Sequence, residues 1–420
     1  MALTRILPGA ARWRLCLMAP VLLLALRSHA ADVVSPDEAA VAKDSNAFTA
    51  AMYAQLAKDA KGDLFFSPSS IHTALAMAYA GARGQTAAQM ARALHYTLEP
   101  ARLHPACGSL LRALNTARKD PAGDPAFALT VSNALWGQKG YLFKPDFIAL
   151  NNACYGAGLK ELDFAESDAA RKTINDWVAQ QTKEKIKDLI PLGVISSATR
   201  LVLTNAVYFK SNWAAKFEKA ATKDGPFTTA AGRQITTPMM HQEDRFRYME
   251  TADLQALELP YRQYELSMVV LLPRKPDGLP ALEQALSAGD LTQWLGQLRV
   301  VDVQVTMPRF KVESSFSLAD NLKALGMTDA FNPDRADFSG IAAMERLFIS
   351  AVIHKAYVAV DEEGTEAAAA TAVVMDGADA AHERPQPKVF SADHPFIFLI
   401  RHRASGLLLF MGRLLEPAAR

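Results

Sequence analysis

The 420-residue chain is poor in the features that mark several large classes of protein. It has only three cysteines, and its 45 basic side chains nearly balance its 44 acidic ones. Three cysteines are too few for a disulfide-rich scaffold. The nearly balanced charge gives no indication of a nucleic-acid or membrane partner. Half of the residues are apolar, which is enough for a large buried core. Length alone would suggest two or three domains.

The chain also lacks the short motifs of common catalytic and cofactor sites. It contains no G-x-S-x-G elbow, H-E-x-x-H motif, C-x-x-C pair or P-loop. The sequence Gly156-Ala157-Gly158 lacks the third glycine of a dinucleotide loop, and the nine histidines show no ligand-like pairing. We therefore expect no enzymatic activity, no metal site and no cofactor. A secreted enzyme with an unrecognised site is the alternative that these absences disfavour.

The first thirty residues have the pattern of an export signal. Three basic residues lead into an apolar stretch: Arg5, Arg12 and Arg14. The stretch, Leu15 to Leu26, is too short to span a bilayer, which needs about 20 residues. The pattern predicts a signal peptide over residues 1–30 that is cleaved after Ala30. The mature protein would then be secreted or periplasmic.

The remaining sequence reads as an α+β protein. Helical spacing dominates the first half and strand-like runs the second, with no internal repeat and no linker. Residues 31–44 are Ala-rich and acidic, and we expect a flexible lead-in there. Cys107 and Cys154 remain after export, and the sequence leaves open whether they form a disulfide or stay free.

The most informative segment runs from Asp361 to Val374 (DEEGTEAAAATAVV). Its alanines favour an exposed helix or a flexible loop. If the segment became a strand, alternation would place four small residues on one face: Thr365, Ala367, Ala369 and Thr371. Small side chains can enter a packed sheet without overpacking it, and Gly364 would supply the hinge.

These residues resemble the hinge of the inhibitory serpins, which reads GTEAAAAT here, very closely. Other blocks in the same order extend the resemblance over nearly the whole mature chain. They are DLFFSPSS at 63–70, TNAVYFK at 204–210, MPRF at 307–310, HKA at 354–356 and ADHPF at 392–396. The chain is thus identified, by resemblance, as an exported, bacterial-like inhibitory serpin.

The resemblance implies one domain over residues 45–420, with three β-sheets, eight or nine helices and an exposed reactive-centre loop at about 362–387. It implies a suicide inhibitor of serine proteases, in which cleavage of a bait bond leaves an acyl-enzyme. Residues 364–374 then insert as a new strand of the large central sheet and trap the protease, an established example of strand addition. The alternative is a non-inhibitory serpin that acts as a carrier or chaperone, which the unspoiled hinge disfavours.

The resemblance also assigns site residues. The hinge comprises Gly364, Thr365, Glu366, Ala367, Ala368, Ala369, Ala370 and Thr371. A polar shutter cluster, which must exchange partners when the sheet opens, maps onto Ser67, Ser70, Asn205 and His354. Ordinary turn, cap and core roles are the alternative for these four residues. Trp213 is expected to pack in the gate region rather than to take part in chemistry.

In the family that the chain resembles, the residue before the scissile bond lies about fourteen positions after the hinge glycine, so the resemblance implies a bait bond between Ala378 and Asp379. An alanine before the scissile bond would suit an elastase-like protease with a small specificity pocket. Asp379 departs from the family pattern, so the bonds Gly377-Ala378 and Ala380-Ala381 remain alternatives. Arg384 would suit a trypsin-like protease but lies too far along the chain. We expect a monomer whose partner is a serine protease, with no nucleic-acid or membrane partner.

Overall fold

The structure is a computed structural model that describes Met1 and residues 34–115, 127–286, 288–342, 346–365 and 386–417. The predicted signal peptide lies outside the described residues. From Val34 onward the chain forms one compact unit. Its described part contains nine α-helices and fifteen β-strands. No described helix is long and apolar enough to cross a membrane.

The helices are α1 (Pro36–Asp59), α2 (Pro68–Tyr79), α3 (Gly84–Ala93), α4 (Pro100–Asn115), α5 (Pro145–Tyr155), α6 (Ser167–Gln181), α7 (Leu279–Ala285), α8 (Ala288–Gln297) and α9 (Ala319–Ala324). The first strands are β1 (Leu64–Phe66), β2 (Phe127–Gln138), β3 (Leu159–Leu162), β4 (Leu201–Asn212), β5 (Lys223–Thr228), β6 (Gln234–Glu250), β7 (Leu254–Pro260) and β8 (Leu266–Pro273). The others are β9 (Arg299–Pro308), β10 (Phe310–Ser317), β11 (Ile349–Val360), β12 (Gly364–Thr365), β13 (Lys388–Ser391), β14 (Phe396–His402) and β15 (Leu408–Leu414).

The expected lead-in over residues 31–44 is wrong from Pro36 onward, where α1 begins. The Ser35 hydroxyl accepts a hydrogen bond from the Glu38 backbone N–H at 3.2 Å, and the Glu38 carboxylate accepts one from the Ser35 N–H at 2.7 Å. This capping box fixes the helix start. Val41 and Ala42 are buried, so the segment is also held by packing.

A six-stranded sheet runs in the order β10-β11-β12-β4-β2-β3. Strands β4 and β11 lie parallel and pair directly from Leu201 and Ile349 to Tyr208 and Tyr357. Almost every residue of β4 is buried, as expected for a central strand covered on both faces. The pairing of β4 with β11 forms the middle of this sheet.

A nine-stranded sheet follows the order β1-β15-β14-β8-β7-β6-β9-β13, with β5 also paired to β6. The 17-residue strand β6 pairs with β5 and β9 along most of its length and with β7 near its end. It therefore joins two sheets into one hydrogen-bonded unit. The described strands thus form two hydrogen-bonded sheets where the sequence predicted three, because β6 joins what would otherwise be separate sheets, and the α+β fold class is confirmed.

Apolar clusters cover both faces of the six-stranded sheet. One packs α1 and α2 beneath it, where Leu203 and Val352 are buried. A second joins Val207 to the nine-stranded sheet, and a third packs α6 against the opposite face through Ile174 and Val202. A strand that entered between β4 and β11 would be buried on the face of Leu203 and Val207 and, beside Val202 and Ala206, on the opposite face as well, so most of its side chains must fit existing cores.

Candidate functional site

Two residues of the predicted hinge form a strand within the six-stranded sheet. Gly364 and Thr365 make β12, which lies antiparallel to both β4 and β11. Thr365 is in register with Ser211 on β4 and with Val360 on β11. The direct pairing of β4 with β11 ends at Tyr208 and Tyr357, below this point. The hinge therefore begins where the two central strands separate.

Gly364 is required by the backbone geometry of this entry point. Its φ is +154°, a conformation that side chains disfavour. A Cβ atom there would lie 2.1 Å from the Ser211 carbonyl oxygen and 2.6 Å from the Asn212 Cα. The close approach of the chain to β4 therefore depends on the absence of a side chain.

Thr365 is completely buried, and its hydroxyl lies 2.7 Å from the Tyr261 hydroxyl. The Tyr261 ring stacks on Trp213, with ring centroids 4.6 Å apart and planes 8° from parallel. The Trp213 indole N–H donates to the Asp361 carbonyl at 2.9 Å. The structure thus places Trp213 in the packing beside the hinge. The sequence analysis missed Tyr261, which no motif distinguishes.

The first residues of the expected exposed loop are buried, which corrects its predicted start at 362. Glu362 is only 2% exposed, and its carboxylate accepts hydrogen bonds from Arg309 Nε at 2.7 Å and from the Thr222 hydroxyl at 2.5 Å. Glu363 pairs with Lys216, and with Lys219 at 3.2 Å. Charged partners therefore hold the chain against the sheet just before the hinge.

The electrostatics of this anchor keep both glutamates ionised. Burial alone would raise the pKa of Glu362, but the hydrogen bonds from Arg309 and Thr222 lower it overall. The hydrogen bond from Lys216 lowers the pKa of Glu363. Each carboxylate is thus stabilised by its partners in the folded state.

Below the hinge lies a buried polar cluster, which we define as Ser67, Ser70, Asn133, Asn205 and His354. His354 Nδ1 bonds Asn205 Oδ1, and His354 Nε2 accepts the Ser67 backbone N–H at 3.1 Å. The Asn205 amide donates to the Ser70 hydroxyl and to Asn133 Oδ1. The Ser67 hydroxyl donates to the Leu409 carbonyl at 2.7 Å. The four predicted shutter residues therefore come together in one network.

His354 is neutral in this arrangement. Since Nε2 accepts a backbone N–H, the ring proton lies on Nδ1 and points to Asn205. Burial lowers the pKa of His354 to about 3. Protonation would place a second donor opposite the Ser67 N–H, which would break the network.

Asn133 is the member of the polar cluster that sequence reasoning missed. It lies on β2 directly opposite Asn205, and its amide donates to the Ser70 carbonyl at 3.2 Å. An asparagine within the otherwise apolar end of a strand is the signal that could have revealed it, because buried amides need specific partners.

The other predicted positions lie outside the described residues. These are the hinge residues Glu366, Ala367, Ala368, Ala369, Ala370 and Thr371, and the bait pair Ala378 and Asp379. Cys107 and Cys154 lie within the described residues and are free thiols: Cys107 is buried and Cys154 is partly buried. The structure therefore has no bond between the two.

Comparison with known proteins shows which family has this architecture. A family model described as Serpin (serine protease inhibitor) matches residues 43–417. The leukocyte elastase inhibitor of Bos taurus is 44% identical over 365 residues, which cover 85% of this chain and 93% of the relative. An uncharacterised serpin-like protein of Thermococcus kodakarensis is 44% identical over 373 residues, covering 89% of this chain and 84% of that protein.

The fold agrees with a solved serpin structure. Serpin48 of the insect Tenebrio molitor superposes with a TM-score of 0.80 at 31% identity, covering 90% of this chain and 98% of that one. The fold is that of an α+β protein in which the first two hinge residues, Gly364 and Thr365, pair with the central strands β4 and β11. The chain belongs to the serpin family of serine protease inhibitors.

We predict that acidification destabilises the protein through the polar cluster. The folded pKa of His354, about 3, lies below its ordinary value of 6.5, so the unfolded state takes up the proton first. The contribution of neutral His354 to the free energy of unfolding is complete above about pH 6.5. Below that pH the free energy of unfolding falls by up to about 1.4 kcal/mol per pH unit until about pH 3. Urea unfolding across this range should show that the variant His354→Asn has a flatter profile.

The exposed His95 gives the matched control. His95 adopts a positive φ of 56°, which asparagine tolerates, so His95→Asn should preserve the backbone and leave the contribution of His354 in place, which keeps the profile steeper than that of His354→Asn. His72 and His104, whose pKa values burial lowers to about 4, remain in both variants and add a slope of the same sign. Equal slopes in wild type and His354→Asn would contradict the assigned role of His354.

We also predict that Glu362→Gln lowers stability by about 2 kcal/mol, because the buried carboxylate of Glu362 loses its charge-assisted hydrogen bonds with the half-exposed Arg309. Thermal unfolding should show a lower midpoint. Asp320→Asn is the control, since Asp320 pairs with Lys323 while its side chain is 93% exposed. If the two variants behaved alike, the ion pair of Glu362 with Arg309 would not anchor the hinge.

Proposed function

We propose that this protein inhibits a serine protease by inserting its cleaved loop into the six-stranded sheet. The observation that carries the proposal is β12, two hinge residues aligned antiparallel between the parallel strands β4 and β11. This is the direction that a returning loop must take to bond both neighbours. Insertion would extend β12 downward and replace the direct pairing of β4 with β11.

The existing register specifies where each hinge residue would lie. If the strand continued downward in this register, Ala367 would lie between Phe209 and Val358, and Ala369 would lie between Val207 and Ala356. These four sheet residues are buried in the second apolar cluster. Side chains on the face of Thr365 would enter this core, so their small size prevents overpacking.

The same register carries Thr371 to the polar cluster. It would lie between Asn205 and His354, which are now directly opposite each other and joined by a hydrogen bond. Insertion would break the hydrogen bond between His354 and Asn205. The Thr371 hydroxyl would then lie between these two side chains and could bond to either of them. The polar cluster would thus exchange partners rather than leave buried groups unpaired.

The energy of insertion has the right magnitude for trapping. Insertion replaces one ladder of hydrogen bonds with two. A net gain of roughly ten bonds, at about 0.5–1.5 kcal/mol each, gives on the order of 10 kcal/mol. This is comparable to the stability of a whole domain, so it could distort an acylated protease before deacylation.

Other features of the proposal come from the sequence. The proposed bait bond joins Ala378 to Asp379, and the alanine favours a protease with a small specificity pocket. A relative that carries the name leukocyte elastase inhibitor supports this preference. The signal pattern of residues 1–30 supports export to the periplasm or the extracellular space. We propose that the protein acts as a monomer.

A non-inhibitory serpin is the second candidate. Such a protein would keep the fold without inserting the loop. The wedged Gly364 and Thr365 and the small hinge residues that follow favour insertion.

We predict that Thr365→Arg preserves the fold but abolishes stable complex formation. An arginine there would bury an unpaired charge in the site that Thr365 now fills beside Tyr261, so residue 365 should leave the space between β4 and β11 in the folded protein and would have to re-enter before the loop could insert. Insertion should slow, so deacylation wins and the protein becomes a substrate. The molar ratio of inhibitor to protease needed for full inhibition measures this directly.

Glu366→Arg is the matched control. On the proposed register Glu366 lies on the opposite face, near Lys210 and Ala359, so a charge there can remain at the surface. It should still trap protease. If Thr365→Arg trapped protease as well as the wild type does, the hinge assignment would be wrong.

The primary experiment mixes the protein with elastase-like, chymotrypsin-like, trypsin-like and subtilisin-like proteases before denaturing electrophoresis. We expect a band at the summed mass with the elastase-like protease. Mass spectrometry should show that the small C-terminal fragment begins at Asp379. Loop cleavage by every protease without such a band, and without greater heat stability of the nicked protein, would favour the non-inhibitory candidate.

A further inference from the structure

Two cations enclose the uncharged part of strand β4. Lys210 lies towards the hinge end of the strand, and Arg200 comes directly before its first residue, at the lower end of the sheet. The nine residues between them, 201–209, carry no charge. Among the described residues, no carboxylate forms an ion pair with either cation. Both positive charges are therefore available to another acidic group.

The chain that follows β12 has the opposite charges at the same spacing. Glu366 and Asp376 are its first two acidic residues, and the nine residues between them, 367–375, carry no charge. This uncharged stretch is as long as the uncharged part of β4. A charge within it would enter the apolar clusters that cover the sheet, whereas charges at its two ends would not.

The register of β12 aligns the two charge patterns. Thr365 pairs with Ser211, so a strand that continued along β4 would place Glu366 opposite Lys210. Lys210 is only partly buried, and an ion pair near the surface contributes little to stability. The upper pair thus agrees with the register but is a poor test of it.

At the lower end, the same register places Asp376 opposite Arg200. Strand β4 pairs with β2 without a bulge, and the Gln138 backbone N–H donates to the Arg200 carbonyl at 3.0 Å, so the sheet continues as far as Arg200. Directly opposite residues of an antiparallel pair project from one face, with Cβ atoms about 5 Å apart. The carboxylate and the guanidinium would therefore be within reach of each other.

The Arg200 guanidinium is held in place with donors to spare. Its Nη1 donates to the Ser197 carbonyl at 2.8 Å and to the Thr199 carbonyl at 2.9 Å. Its Nε and Nη2 make no hydrogen bond within the part of the chain that the structure describes. Two parallel N–H donors of a guanidinium match the two oxygens of a carboxylate. Arg200 is thus ready to bind a carboxylate that arrives at the end of β4.

We propose that Arg200 is a positioning residue of the inhibition, and that it binds the carboxylate of Asp376 once the cleaved loop has inserted. This inference rests on the proposed insertion. The ion pair forms only in the inserted state, so it stabilises that state and opposes withdrawal of the strand. It also fixes the end of the inserted strand, so that the bait residue Ala378 lies just beyond the sheet.

The experiment compares the uncleaved protein with protein cleaved after Ala378, in which the upstream fragment retains Asp376. Thermal unfolding at a fixed urea concentration is measured for the wild type, Arg200→Gln, Asp376→Asn and the double variant. The readout is the midpoint of the cleaved form minus that of the uncleaved form. Each single variant should reduce this difference by about 3 °C, and the double variant should reduce it no further, because either change removes the same ion pair.

Arg299→Gln is the matched control. Arg299 begins β9 in the nine-stranded sheet, and its Nη1 donates to the Gly296 carbonyl at 2.8 Å and to the Leu298 carbonyl at 2.9 Å, the same two contacts that Arg200 makes. Loss of these contacts alone should shift the cleaved and uncleaved forms equally. Exchanging the charges, with Arg200→Asp and Asp376→Arg in one chain, should recover most of the difference that each single reversal loses.

Additive effects of Arg200→Gln and Asp376→Asn would overturn the ion pair, even if cleavage itself raised the midpoint. The same conclusion would follow if Arg200→Gln and Arg299→Gln changed the difference equally. A cleaved wild type that was no more stable than the uncleaved protein would instead contradict insertion, and the proposed function would fail together with this inference.

Discussion

The pairing of β4 with β11 is the constraint on which the rest of this structure depends. These parallel strands form the middle of the six-stranded sheet, and apolar clusters cover them on both faces. They separate only at one end, where Gly364 and Thr365 lie between them. Every feature around the hinge either holds the strands together or holds the loop at the place where they part.

The two sets of contacts have different physical characters. The anchor of Glu362 and Arg309 is an ion pair close to the surface, whereas the polar cluster around His354 is fully enclosed. An enclosed polar network is stable only when every member is satisfied, so it resists small displacements. Hydroxyls and amides can nevertheless exchange one partner for another, which aliphatic side chains cannot do. The polar cluster can therefore stabilise the pairing of β4 with β11 and still allow the two strands to separate.

Much of this arrangement could be predicted from the sequence, because short motifs record local requirements. Gly364 is visible in the sequence, and the structure shows why no other residue fits there. Ser67, Ser70, Asn205 and His354 were found only through the family resemblance, since they are far apart in the chain. Asn133 and Tyr261 escaped notice because their roles arise from strand register and ring stacking. The capping box at Ser35 was readable but was masked by an Ala-rich, acidic composition.

The C-terminal hairpin has a consequence for the cleavage product. Strands β14 and β15 lie within the nine-stranded sheet, between β8 and β1, and β13 is paired with β9. A cut between Ala378 and Asp379 would therefore leave the downstream fragment bound to the body of the protein. The new amino terminus would stay tethered near its origin at high effective concentration, where it could attack the acyl bond and restore the peptide. Rapid removal of the upstream end is thus needed to prevent religation as well as hydrolysis.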